Sequence, residues 1–467
     1  MLKGVMNGWS RRNFLKLGAA GLSLPQVLAL RGNGASDLEP SGEASRGFGG
    51  AKSCIVLFAW GGLSHLDTFD LKPQAPANVR SAFKEIPTDV PGLRIGEHLP
   101  GFARMMKHWT VVRSTHHNAP SHRSGAYWNL TGHEPSNLSG NWQATRDDWP
   151  SIGSMIWEAK GDGRGPVPGA VALPYTLYDG GTANGQDGGF LGLGRDPVVL
   201  RPTGEKLREY GGRSPSSGRL NLDLPEDLNP HRLEDMRGLL GRLDAGSSKV
   251  GSEETDSVLR SRDRALDMLL HARTQDAFDL EKEDPKLRQR YGMHVCGQSV
   301  LTARRLVEAG VPVSTVYCAA GDLNGSKGDH FDTHADNFNR LKNNMLPPLD
   351  QAASALIADL KSRGMLDETL VALFTEFGRT PKINGAKGRD HFPDCYSVAF
   401  AGGGIEGGRV YGSSNAIGAK PASKPCGPPD LHATVFHALG IHSDHRIYDR
   451  SGRPVPVCDG KPLPLFG

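Results

Sequence analysis

The chain has 467 residues, 37% hydrophobic and 22% charged, which excludes a disordered or membrane-embedded polypeptide and is ample for a sizeable core. A formal net charge of +3 is too small to argue for nucleic acid or an acidic membrane surface as a partner. Sixty glycines and thirty-two prolines point to tight turns and long loops, which suit a loop-built site on a rigid sheet. The six cysteines are scattered with no C-x-x-C pair, so a zinc ribbon has no support, and disulfide pairing cannot be read from the spacing.

In chain order, Ser10-Arg11-Arg12-Asn13-Phe14-Leu15-Lys16 precedes an apolar, Gly/Ala/Leu-rich stretch ending at Leu30. Paired arginines before such a stretch form the twin-arginine export pattern, and the stretch is too short for a membrane span. Residues 1–31 are therefore expected to be a signal segment and 32–52 a linker, with a periplasmic or cell-envelope destination. Residues 53–467 are expected to form one α/β domain with a loop and helix insertion around 161–290.

The folded part opens on the apolar run Cys54 to Trp60, which reads as a central strand. It breaks at Gly61-Gly62 and delivers Ser64, His65, Asp67 and Asp70. His65 and Asp67 are candidate site residues, whereas Asp70 could equally cap a turn. An amphipathic helix over 99–109 leads to a strand at 110–114, followed by His116, His117, Ser121 and His122. In an extended segment His116 and His117 point to opposite sides, so only one of them is expected in a site. Ser121-His122 opens a helix, whose N-terminus favours anions. A helix is expected over 149–160, long loops over the site's rim from 161 to 224, and charge-dense helices from 225 to 290.

The helix 296–309 and strand 311–317 lead to Asp329-His330-Phe331-Asp332-Thr333-His334 and a long helix from about 337 to 361. Asp332 and His334, two residues apart in an extended segment, can reach one cation, and carboxylate with imidazole suits Zn, Mn or Fe. The stretch from Thr369 to Gly408 is the centre of the chain. A short apolar run reads as a buried parallel strand and stops at Thr375-Glu376, where ligands of an open parallel sheet collect. A loop carrying Arg379 and closing on Arg389-Asp390-His391 precedes a second strand, 396–401. His432 and His437, on a C-terminal helix that begins at Asp430, read as ordinary surface or packing residues.

In order, GGLSHLDTFDLKP, HHNAPSHRSGAYWNLTGH, DHFDTH, FTEFGRTPKIN, GRDHFP, AGGGIEGG and DLHATVFHALGI resemble the DUF1501 family over roughly residues 50 to 445. This is a family of exported bacterial proteins, many from planctomycetes, in the alkaline phosphatase/sulfatase-like superfamily. The resemblance implies a three-layer α/β/α sandwich around a mostly parallel sheet. It also implies metal ions at the sheet's carboxyl edge and hydrolysis of phosphate or sulfate esters.

By the same resemblance, Asp332, His334 and His391 match the set that binds one metal, and Glu376 stands near a ligand of the second. The nucleophile's place falls on His122, with Ser121 beside it. The chain departs from the pattern in lacking C/S-x-P-x-R, in having Phe377 at the place of the second-metal His, and in having Trp60 where a metal-binding Asp normally ends the first strand. A second site would have to be rebuilt from His65, Asp67, His122 and Glu376.

The function expected is an exported, Zn- or Mn-dependent hydrolase acting on a small-molecule or glycan ester. Arg379 or Arg389 would hold the anion, and Ser121, His122 or a metal-activated water would attack. A non-catalytic metal-containing protein that binds sulfated or phosphorylated glycans is the alternative, and a structural envelope protein the third.

Overall fold

Apolar runs bounded by glycine and polar loops become the strands of a central sheet. The computed structural model describes residues 46–140, 142–161, 167–200, 230–247, 259, 262, 263, 266, 276–324 and 328–467. The expected signal segment and the linker up to residue 45 lie outside them, as do 201–229 and most of 248–275 in the expected insertion. Residues Gly47–Gly467 form one compact unit. Residues 49–52, expected to be linker, are pinned to the body by Gly49 N on His437 O, Ala51 N on Ala438 O and Lys52 N on Glu368 O.

The strands are β1 (Ser53–Phe58), a hairpin β2 (Glu85–Pro87) and β3 (Arg94–Gly96), β4 (Trp109–Thr115), β5 (Ala170–Leu173), β6 (Val198–Val199), β7 (Val313–Tyr317) and β8 (Thr369–Phe374). They continue as β9 (Gly378–Arg379), β10 (His391–Phe392), β11 (Tyr396–Ala401) and β12 (Arg409–Tyr411). Eight of these make one sheet in the order β12-β4-β11-β8-β1-β7-β5-β6. Every neighbouring pair is parallel except those of β11, which runs antiparallel to both β4 and β8. β1, β8 and β11 are buried along their whole length, as central strands covered on both faces must be.

Helices Pro100–Met105, Pro285–Tyr291, Val295–Ala309 and Leu346–Ser362 pack as one group. Ile152–Lys160 packs on β5 and β7, and His122–Thr131 on Pro428–Ala438. The architecture is the mostly parallel α/β/α arrangement expected. Two details differ. The region read as loops over 161–224 contributes β5 and β6 to the sheet, because Ala170–Leu173 is only four residues long and too short to announce a strand. The long helix near 337–361 contains a π-turn, Leu341–Met345.

Two buried histidines brace the layer that carries the helix His122–Thr131. His432 donates from Nε2 to Asn129 O at 2.9 Å, and His133 donates to Val457 O at 3.0 Å while stacking on Trp149. Burial pushes their pKa values down to about 3 and about 4. Below the unfolded value near 6.5 the unfolded chain binds protons that the folded chain refuses. Each group's stabilisation is therefore full above that pH and is lost as pH falls toward the folded value, at up to ~1.4 kcal/mol per pH unit. In urea titrations at pH 7.5 and 5.0, His432→Gln and His133→Gln should each show a smaller acid-induced drop than wild type. An unchanged drop would show that neither histidine is held neutral.

Candidate metal centre

Loops leaving the carboxyl ends of β1, β4, β7 and β8 meet at one point. After β1, Gly61 and Gly62 have φ of 109° and 81°, and a side chain at Gly61 would strike the backbone nitrogens of Phe331 and Asp332. Their absence lets the loop after β7 lie against the loop after β1. That loop is zipped to the one between β9 and β10: Arg389 N donates to Thr333 O, and Asp336 N to Ala386 O, both at 3.0 Å. Asn384 Nδ2 holds His334 O at 2.9 Å, and His391 lies opposite Arg379 on the β9–β10 ribbon.

The result is a four-residue cluster, His122, Asp332, His334 and His391, whose donor atoms all lie within 4.8 Å of one another. Asp332 Oδ1 has His122 Nε2 at 3.2 Å, His334 Nε2 at 3.1 Å, His391 Nε2 at 3.3 Å and Arg379 Nη2 at 2.6 Å. His334 Nε2 and His391 Nε2 are 2.9 Å apart. The His122 side is closed, with 4% of that side chain exposed, whereas 45% of His334 is exposed, so solvent reaches the cluster from there.

Each ring's other nitrogen is engaged behind the cluster. His122 Nδ1 meets Glu376 Oε1 at 2.7 Å, His334 Nδ1 meets Asp390 Oδ1 at 2.8 Å, and His391 Nδ1 meets Pro120 O at 2.9 Å. Carboxylates and carbonyls only accept, so all three Nδ1 atoms carry hydrogen and, in the neutral rings, all three Nε2 lone pairs face inward. One carboxylate oxygen cannot satisfy four nitrogens. The donor set, with partners orienting each ring from behind, fits a divalent cation of the Zn or Mn type. Asp332, Glu376 and Asp390 outnumber the two nearby guanidiniums, Arg379 on the Asp332 carboxylate and Arg340 on its carbonyl, which leaves the site negative.

Burial works to raise the Asp332 pKa, but the three imidazoles, which donate to it only in their protonated forms, and the Arg379 charge hold it far below the usual range. Burial pulls His391 down to about 4, so it stays neutral. For His334, the bond to Asp332 outweighs burial and raises the pKa. For His122, burial is outweighed by its bonds to Asp332 and Glu376, and the net shift is also upward.

The structure thus brings together Asp332, His334 and His391 and adds His122, which the sequence placed at the nucleophile's position and among the residues that could rebuild a second site. Glu376, expected as a ligand, stands one step back. It is fully buried and accepts from Gly61 N at 2.7 Å as well as from His122. Asp67 is not in the cluster. It takes Arg389, Ser64, Ser81 and Asn337. His65 is also elsewhere, with Nε2 on Gly418 O at 2.8 Å.

The two arginines expected to hold an anion are spent on the protein. The five N–H groups of Arg389 meet five acceptor contacts, two on Asp67 and one each on Val79 O, Thr380 O and Pro381 O. Arg379 donates to Gly61 O, Gly62 O, Arg389 O and Asp332.

Ser121 is the N-cap of the helix, accepting from Ser124 N, with its hydroxyl 3.0 Å from that of Ser124. Asp70 pairs with Lys72 at 2.8 Å. His116 is exposed. His117 bonds Glu376 O at 2.6 Å and so fixes the backbone under the cluster. Trp60 packs its ring on His122, and Phe377 packs on both His122 and His391. Asp390 was visible in the sequence beside His391, but only the fold shows it behind His334.

Solved structures with similar folds include Ps i-CgsB, at 11% identity and TM-score 0.42, covering 87% of this chain and 74% of that one. A protein in the alkaline phosphatase superfamily from Vibrio parahaemolyticus has 10% identity and TM-score 0.37, with 85% and 68% covered. The PsFucS1 sulfatase from Pseudoalteromonas sp. has 12% identity and TM-score 0.38, with 83% and 68% covered. Among curated proteins, a 110-residue segment is 34% identical to ribosomal RNA small subunit methyltransferase H of Trichlorobacter lovleyi (strain ATCC BAA-1151 / DSM 17278 / SZ). That match covers 22% of this chain, which spans about a third of that relative's length. Residues 51–464 match the family described as protein of unknown function (DUF1501), and the chain belongs to that family.

Proposed function

We propose that the chain is an exported, metal-dependent hydrolase of phosphate or sulfate esters. The observation that carries this reading is the convergence of three inward-facing imidazole Nε2 atoms on Asp332, each ring tied from behind. His122, Asp332, His334 and His391 would hold the ion, which supplies Lewis acidity toward an ester oxygen or a water. Glu376 and Asp390 hold the tautomers of His122 and His334, and Arg379 fixes the Asp332 carboxylate. Trp60 and Phe377 close the His122 side against water. The ester approaches on the open His334 side. Export rests on the twin-arginine pattern. No helix among the described residues is long and apolar enough to cross a membrane.

One observation favours the alternative of a glycan-binding protein without turnover: Ser121 spends its hydroxyl as a helix cap and is not poised as a nucleophile. Aryl phosphate and aryl sulfate assayed with protein loaded with Zn²⁺ or Mn²⁺ decide between the two. Turnover that chelator abolishes and metal restores is expected. No turnover by fully loaded protein, against a panel that includes sulfated and phosphorylated saccharides, would leave the binding reading.

A further inference from the structure

The residue after His122 carries a buried charge with no counter-charge. Arg123 is 9% exposed and makes no ion pair among the described residues. Its Nη2 donates to Trp142 O and to Asn184 Oδ1, the latter at 3.2 Å, and a carboxylate, Asp148, enters only through the Asn184 amide. The Arg123 Nε is buried without an acceptor, and so is the indole Nε1 of Trp142, the residue it touches. Arg123 reaches the Trp142 main-chain carbonyl, and each of the two orphaned donors calls for a ligand that only accepts.

The position suits one. Gly181 lies against the guanidinium, where a Cβ would stand 3.2 Å from Nη1, so no side chain occupies that approach. Gly181 and Asn184 belong to the loop after β5, which is tied to the loop after β7 through Tyr178 N on Gly321 O and Leu323 N on Tyr178 O. Arg123 itself sits in the first turn of the helix His122–Thr131, beside a member of the metal cluster, at the helix end that favours anions.

We infer that Arg123, with the Trp142 indole N–H, is an oxyanion receptor at the carboxyl edge of the sheet, taking a sulfate or phosphate group. Arg379 and Arg389 offer no such site, since their donors are spent inside the protein. The ligand's identity rests on the ester-hydrolase reading, but the site rests on the orphaned donors and can be tested without turnover.

The test is the thermal shift of the full chain with increasing sodium sulfate or phosphate against chloride at matched ionic strength. Variants are Arg123→Gln, Gly181→Asp and Asp332→Ala. Wild type and Asp332→Ala should both show saturable stabilisation, which places the anion away from the metal ligands. Arg123→Gln should weaken it by about tenfold or more, the order expected for a lost charge-assisted pair. Gly181→Asp supplies the missing carboxylate internally and should do the same. Wild-type affinity in folded Arg123→Gln, or loss of binding in Asp332→Ala alone, would overturn the site. If Arg123→Gln does not fold, Gly181→Asp decides, and wild-type affinity there overturns it. Oxyanion binding through Arg123 without ester turnover would sink the hydrolase reading and leave this one standing.

Discussion

Asp332→Ala is expected to purify without bound divalent metal, where wild type carries about one ion per chain. Asp332 is the atom on which the three imidazoles and Arg379 converge, at 2.6 to 3.3 Å. Its removal takes away the one anionic donor and leaves a buried guanidinium beside the ring nitrogens, so the pocket turns from cation-attracting to cation-repelling. Altering an orienting partner alone weakens metal binding by roughly 10- to 100-fold, and losing a direct ligand should exceed that. Glu376→Gln supplies the graded comparison. It keeps the shape and an acceptor oxygen for Gly61 N and His122 Nδ1, but removes the charge that favours the His122 tautomer. Elemental analysis and competition with a chromogenic chelator should rank wild type above Glu376→Gln, and Glu376→Gln above Asp332→Ala. Equal metal content in all three would remove the cluster as the site of binding.

What the sequence disclosed follows from what a single segment can show. Apolar runs announced β1, β4, β7, β8 and β11, because each is buried along most of its length. They could not show that β11 runs antiparallel between β4 and β8, since orientation belongs to pairing and not to composition. Nor could four residues at Ala170–Leu173, between prolines, outweigh a Gly/Pro-rich neighbourhood. In the site, Asp332 and His334 were legible from their i, i+2 spacing past a strand, and His391 from its loop. His122 was noticed at a helix start but given a nucleophile's part or a place in a second site, because only the fold turns its Nε2 toward Asp332. Asp67 and Arg389 show the deeper limit. A cluster of charges in loop sequence looks the same whether the groups face a ligand or each other.

That limit makes the second large expectation. Asp67→Ala should destabilise the protein severely and leave the metal centre's ligands in place. Both side chains of the Asp67–Arg389 pair are fully buried, with Nε to Oδ2 at 2.9 Å. Burial works to raise the Asp67 pKa, yet the Arg389 charge and the Ser64 and Ser81 hydroxyls hold it below the usual carboxylate value. Removing one partner of such a pair strands the other as an unpaired buried charge, at a cost of about 3–5 kcal/mol. Against a typical total stability of about 5–15 kcal/mol, that is a large fraction. The two partners are not equivalent. Arg389 cannot shed its proton, whereas an abandoned Asp67 can take one and keep the Ser64, Ser81 and Asn337 contacts. Asp67→Ala should therefore cost more than Arg389→Met in urea denaturation, and raising the pH from 5 to 7 should widen the Arg389→Met loss. Metal per folded chain should stay near the wild-type value in both. Near-native stability with lost metal in Asp67→Ala would instead move this pair into the metal centre.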